Sequence, residues 1–124
     1  MKPKFYYCED CETLLILLQE SGVPMMCCGQ PMIELVPGAV SAPAQKHRPV
    51  FRTEGNKVLV TVGTQPHPME TYHRIQWIAL QTRQTVQYRK LEPVQPLSVS
   101  FAICERDEVE AAYAYCSLHG LWKS

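Results

Sequence analysis

No excess of either charge appears in this sequence of 124 residues, where twelve Lys and Arg balance twelve Asp and Glu. That balance argues against a general nucleic-acid binder, which needs surplus basic side chains to neutralise phosphates. Long apolar runs are missing as well. The longest, Leu14 to Leu18, is five residues, whereas a membrane span needs about 20. It follows Glu9, Asp10 and Glu12, the wrong sign for the basic start of a secretory signal. There is no internal repeat and no low-complexity tract. Hydrophobic residues at 46% with charged residues at only 19% permit a packed core and argue against wholesale disorder.

Against these absences stand six Cys and four His. Without an export signal the cysteines read as reduced thiols or metal thiolates rather than disulfides, which places the chain in the cytoplasm. The adjacent Cys27-Cys28 points the same way, since each would need its own partner or a strained vicinal bridge.

The small, uncharged, Pro-containing stretch Val36 to Ala44 reads as a linker. Three segments follow: a Cys-rich head over 1–36, a linker over 37–45 and a body over 46–124. The charge divides there too. Residues 1–36 carry two basic and five acidic side chains, a net −3, and residues 37–124 carry ten basic and seven acidic, a net +3.

The head is too short to hold together by apolar burial and needs a staple, for which a metal is the expected choice. Cys8-Glu9-Asp10-Cys11, then fifteen residues, then Cys27-Cys28 supply four thiolates, and Cys-x2-Cys presents two sulfurs from one tight turn. Zinc and iron both accept that ligand set, so spacing leaves the metal open.

The body reads as β. Pro49 to Thr53 and Lys57 to Thr64 flank Glu54-Gly55-Asn56, a hairpin signal. Ile75 to Leu80, Thr85 to Leu91, Ser98 to Cys104 and Ala111 to Cys116 are further strand-like runs, with Val99, Phe101 and Ile103 on one period-two face. Six or seven short strands predict an all-β antiparallel sandwich. Glu105-Arg106-Asp107-Glu108 reads as a solvated loop, Cys104 as a buried small hydrophobe, and Trp77 and Trp122 as core or site-wall residues. The body also carries His47, His67, His73 and His119 with Cys116, and Cys116-Ser117-Leu118-His119 could turn two side chains onto one ion. Singly, each histidine reads as a surface or hydrogen-bonded residue.

Their convergence comes from a resemblance. Lys46-His47, Pro66-His67-Pro68-Met69, His73-Arg74-Ile75-Gln76-Trp77-Ile78 and Cys116-Ser117-Leu118-His119-Gly120-Leu121-Trp122-Lys123 resemble, in order and spacing, the desulfoferrodoxin family, the two-iron class of superoxide reductases. The head, with Cys-x2-Cys and Cys27-Cys28-Gly29-Gln30-Pro31-Met32, is similar to desulforedoxin, whose one iron lies in four thiolates. The resemblance implies a desulforedoxin-like head on Cys8, Cys11, Cys27 and Cys28, followed by a neelaredoxin-like catalytic body built as a seven-stranded immunoglobulin-like sandwich. It further implies an iron with His47, His67, His73 and His119 equatorial and Cys116 axial, His119 using the ring nitrogen opposite in type to the others. Lys46 would steer the superoxide anion and organise proton delivery. The implied activity is one-electron reduction of superoxide to hydrogen peroxide without dioxygen release. Electrons would come from a donor such as rubredoxin, and the protein would be a homodimer.

One position departs from the family. A glutamate usually precedes the lysine and can occupy the oxidised iron; here Gln45 is neutral and a poor ligand, which leaves that place to water or hydroxide. Two other readings stay beside the reductase: a non-catalytic iron carrier or metal-binding protein, and a superoxide dismutase.

Overall fold

In this computed structural model, residues 2–63, 68–70, 73–94 and 96–124 are described. His67 lies outside them. The chain divides into two compact units, Met1–Val36 and Pro37–Ser124.

The first unit is built from five short strands: β1 (Lys4–Tyr7), β2 (Leu14–Leu17), β3 (Met26–Cys27), β4 (Gln30–Pro31) and β5 (Ile33–Glu34). β1 lies between β2 and β5 in one antiparallel sheet. The run Leu14 to Leu18 thus becomes a strand, with all four residues of β2 half-buried. Its buried hydrophobic side chains are Phe5, Cys8 and Met32, a core too small to stand alone. β3 and β4 form a hairpin whose register, Met26 with Pro31 and Cys27 with Gln30, leaves a two-residue turn of Cys28 and Gly29. Both turn residues have positive φ, 52° and 76°. That is the backbone of the turns that match strand twist, normally filled by Asn-Gly. Cys28 therefore occupies a left-handed conformation that costs a side chain about 1–2 kcal/mol, and the turn aims it beside Cys27.

The second unit holds the short helix α1 (Ala44–His47) and seven strands: β6 (Pro49–Glu54), β7 (Lys57–Val62), β8 (Ile75–Thr82), β9 (Val86–Lys90), β10 (Ser98–Ala102), β11 (Val109–Cys116) and β12 (Gly120–Lys123). They form two antiparallel sheets, ordered β10-β7-β6 and β12-β11-β8-β9. The core between them joins Val58, Val60 and Val62 of β7 and Phe101 of β10 to Ile75, Ile78 and Leu80 of β8 and Ala112, Ala114 and Cys116 of β11. Among the described residues this is the antiparallel sandwich expected from the alternating runs, with the seven strands that the resemblance implies. Residues 37–45 pack with the body rather than standing free. Gly38 N–H donates to Leu121 O at 2.8 Å, and Ala44 already belongs to α1.

One local reading of the sequence is corrected. Cys104 is exposed, because β10 ends at Ala102 and the chain has left the sandwich before reaching it. Glu105, Arg106 and Glu108 are exposed, as expected of a solvated loop, while Asp107 among them is only 9% exposed. Its N–H donates to Cys104 O at 3.1 Å and its Oδ1 accepts from Glu108 N at 2.9 Å, so this loop folds back on itself around a carboxylate.

A bulge in the β8–β11 ladder positions the site. Trp77 pairs with Tyr115, yet Cys116 pairs with Ile75, so Gln76 is the extra residue. Alternation puts Ile78 and Leu80 in the core; the inserted residue switches phase so that Ile75 joins them. The chain preceding Ile75 inherits that phase, and His73 is thereby brought to the inner face that also carries Cys116.

Candidate metal centres

Cys8, Cys11, Cys27 and Cys28 bring their sulfurs within 4.8 Å of one another. Cys11 Sγ lies 3.3 Å from Cys27 Sγ, and Cys27 Sγ lies 4.0 Å from Cys28 Sγ. All four thiols are free, and these separations are far beyond a disulfide bond of about 2 Å. They bracket the edge of about 3.8 Å expected for a tetrahedron with metal–sulfur bonds of about 2.3 Å. The first turn is tied by Glu12 N–H to Cys8 O at 2.8 Å and Cys8 N–H to Thr13 O at 2.9 Å. A hydrogen bond with the Thr13 hydroxyl, 3.0 Å from Cys11 Sγ, and one from the backbone draw the Cys11 thiol down to about 6. The same crowding works the other way on Cys27, pushed up to about 12 by its contacts with Cys11 and Cys8, and Cys28 rises for the same reason. Four sulfurs this close cannot all ionise without a cation among them. The donor set fits a metal.

The second cluster joins His47, His73, Cys116 and His119, whose ligand atoms also lie within 4.8 Å of one another. Each comes from a different local device. His47, 2% exposed, ends α1, and its Nδ1 lies 2.7 Å from the carbonyl of Pro43. A carbonyl can only accept, so Nδ1 carries the proton and Nε2 keeps its lone pair for the cluster. That Nε2 sits 3.0 Å from Nδ1 of His119, close to the spacing of two imidazoles at right angles on bonds of about 2.1 Å. Cys116 ends the inward row of β11, and its Sγ is 3.7 Å from His119 Nδ1. His73 packs edge-on to His119, ring centroids 5.2 Å apart.

Burial pushes the Cys116 thiol up, and backbone N–H groups of Leu118 and His119 pull it partly back by hydrogen bonding. Burial likewise lowers His119, with His47 and His73 adding to the effect. Neutral imidazoles and a thiol whose charge is costly without a counter-ion suit a soft-to-borderline divalent metal. Of the sequence-predicted ligands, this structure brings four together in the body and all four in the head; His67 falls outside the described residues. Lys46, next to His47, is half-buried, and Gln45 is exposed.

The profile of the desulfoferrodoxin family matches residues 39–124. The chain belongs to that family. It is 38% identical over 122 residues to the desulfoferrodoxin of Nitratidesulfovibrio vulgaris, covering 98% of this chain and 94% of that one. A desulfoferrodoxin homolog of Archaeoglobus fulgidus is 37% identical over 119 residues, covering 96% and 94%. Among solved structures, the superoxide reductase of Treponema pallidum is similar at a TM-score of 0.84 and 30% identity, covering 99% of this chain and 97% of that one. A superoxide reductase from Giardia intestinalis matches at 0.55 and 27%, covering 64% of this chain and 95% of its own. In this member of the desulfoferrodoxin family the two clusters fit two iron centres.

Several participants left no mark in the sequence. The Pro43 carbonyl is a backbone group, and nothing in its side chain announces its part in setting the His47 tautomer. Trp122, read as a core or site-wall residue, does stack on His47; what the sequence did not announce is its Nε1–H donating to His119 O at 3.1 Å.

Proposed function

We propose that this chain is a superoxide reductase that converts superoxide to hydrogen peroxide, taking up one electron and two protons and releasing no dioxygen. The observation that supports this best is the convergence of His47, His73, Cys116 and His119 within 4.8 Å on the fold of the family. His47, His67, His73, His119 and Cys116 would hold the catalytic iron, and Cys8, Cys11, Cys27 and Cys28 would hold the second. Ferrous iron, held in the body set, would supply the electron.

The chain's own residues do the rest. Pro43 O fixes the proton of His47 on Nδ1, so the imidazole enters neutral and leaves the site's positive charge intact to attract an anion. Leu118 and His119 N–H groups hold negative charge on Cys116 Sγ. Lys46, one residue from His47, draws superoxide in and orders water for protonation, a field effect that salt weakens. Gln45, neutral where the family usually has a glutamate, offers the site no carboxylate of its own.

The electron donor is a separate reduced protein such as rubredoxin. Leu18, Val23, Met26, Ile33 and Val36 are exposed apolar residues of the head, in keeping with a homodimer. Free thiols in both centres suit the cytoplasm, and no helix among the described residues is long and apolar enough to cross a membrane. The decisive assay adds superoxide to the reduced, iron-loaded protein and follows iron oxidation, peroxide and dioxygen. Stoichiometric peroxide that becomes catalytic only with a donor is expected. Donor-free catalytic release of dioxygen overturns the reading, and full activity in Cys116→Ser overturns the site.

A further inference from the structure

Two residues that bind no metal pair in both directions beside the body cluster. Arg74 follows His73 and Ser117 follows Cys116. Ser117 N–H donates to Arg74 O at 3.0 Å, and Arg74 N–H donates to the Ser117 hydroxyl at 3.1 Å. In register they are the pair next after Cys116 with Ile75, where the β8–β11 ladder stops. A hydrogen-bonded antiparallel pair exchanges two backbone bonds. Here the chain leaves β11 at Cys116 to make the turn of residues 117–119, and the second bond ends on a side-chain oxygen. The hydroxyl extends the ladder one step past the strand.

That step matters because His73 lies beyond the start of β8. Its backbone is held by the Arg74–Ser117 pair on one side and by Glu70 N–H, which donates to His73 O at 3.0 Å, on the other. The turn held by the same pair presents Cys116 and His119. We infer that Ser117 is a positioning residue for the body centre: its hydroxyl ties the backbone beside His73 to the Cys116–His119 turn and so sets the spacing between these ligands. The inference rests on reading the cluster as a metal site and is independent of its substrate.

The test compares the full-length chain with Ser117→Ala and Ser117→Thr. Iron affinity of each centre is measured by chelator competition, the visible spectrum of the oxidised body centre is recorded, and amide hydrogen exchange at Arg74 is followed in metal-free protein. Ser117→Ala is expected to weaken the body centre about tenfold or more, shift its thiolate band, speed Arg74 exchange and leave the head centre unaltered. Ser117→Thr, which keeps the hydroxyl, restores all three. An alanine variant matching wild type in affinity, band and exchange overturns the role. Equal weakening of both centres with a lowered melting temperature overturns it too, because that is general destabilisation. A wild-type chain that binds iron only at the head overturns the metal-site reading and this role with it.

Discussion

Trp122 lies face to face with His47, ring centroids 5.1 Å apart and planes 23° apart, while its indole N–H donates to the carbonyl of His119 at 3.1 Å. One side chain thus braces two residues of the body cluster that are 72 positions apart in sequence. Trp122→Ala is expected to destabilise the second unit by about 3–5 kcal/mol, the usual cost of emptying an aromatic site, and to weaken its metal binding. Trp122→Phe keeps a ring against His47 and loses the hydrogen bond, at about 1 kcal/mol. Denaturant unfolding alongside chelator competition separates the two. A phenylalanine variant as damaged as alanine would show that the bond to His119, not the stacking, is the brace.

Gly63 packs against the segment that carries His47. Its φ is +69°, and a Cβ there would collide with Gln45 O and lie 2.9 Å from the carbonyl carbon of Lys46. Those atoms belong to α1, which carries Lys46 and His47, and backbone cannot yield as a side-chain tip can. Gly63→Ala is expected to displace that segment and cut both body-metal affinity and the response to superoxide. Gly55→Ala is the control. Its φ is +60° with open space around it, so only the conformational cost of about 1–2 kcal/mol remains. Equal metal affinity in the two variants would defeat the argument.

In the head the prediction concerns folding. With Phe5, Cys8 and Met32 as its buried hydrophobic side chains, Met1–Val36 depends on its thiolates, since metal binding at a structural site is folding free energy. Cys11→Ser removes the sulfur that Thr13 holds. Amide exchange in β1 and β2 should become fast while β8 and β11 stay protected. Slow exchange throughout would mean the head folds without its metal.

Tyr113 gives a pH dependence whose sign is fixed by burial. Its hydroxyl donates to Gln81 Oε1 at 3.2 Å, and burial, with Glu110 adding to it, raises its pKa above the ordinary tyrosine value. The unfolded chain therefore loses this proton first. The stabilisation is complete below about pH 10 and declines as pH rises toward and through the raised folded value. Unfolding midpoints between about pH 9 and pH 11 should fall less steeply in Tyr113→Phe than in wild type. An identical slope would remove Tyr113 from the alkaline limb.

The sequence carried the ligand types and the strand runs plainly, because thiolate spacing and period-two alternation are local signals. Pro49 to Thr53 and Lys57 to Thr64 became Pro49–Glu54 and Lys57–Val62 around the expected turn. The bulge at Gln76 was not legible. β8 is apolar on both faces, so no alternation existed for the extra residue to interrupt. Residues 37–45 read as a linker because composition reports flexibility, not contacts; the bond from Gly38 to Leu121 and the start of α1 depend on partners far along the chain. Cys104 misled for a similar reason. Its apolar neighbours continue the pattern of β10, but the pairing with β7 ends at Ala102 and Lys57. The convergence of histidines became legible through resemblance, since no spacing rule links residues separated by a whole sandwich.

The two ligand sets also differ in how much chain each requires. All four sulfurs of the head lie within the first 28 residues, whereas the body set needs His47 and His119 together, with the sandwich folded between them. Synthesis thus completes one centre's ligands early and the other's late. A nascent chain stalled between them carries every ligand of the first set and lacks Cys116 and His119 of the second. The order of the residues therefore fixes the order in which the two ligand sets can be completed.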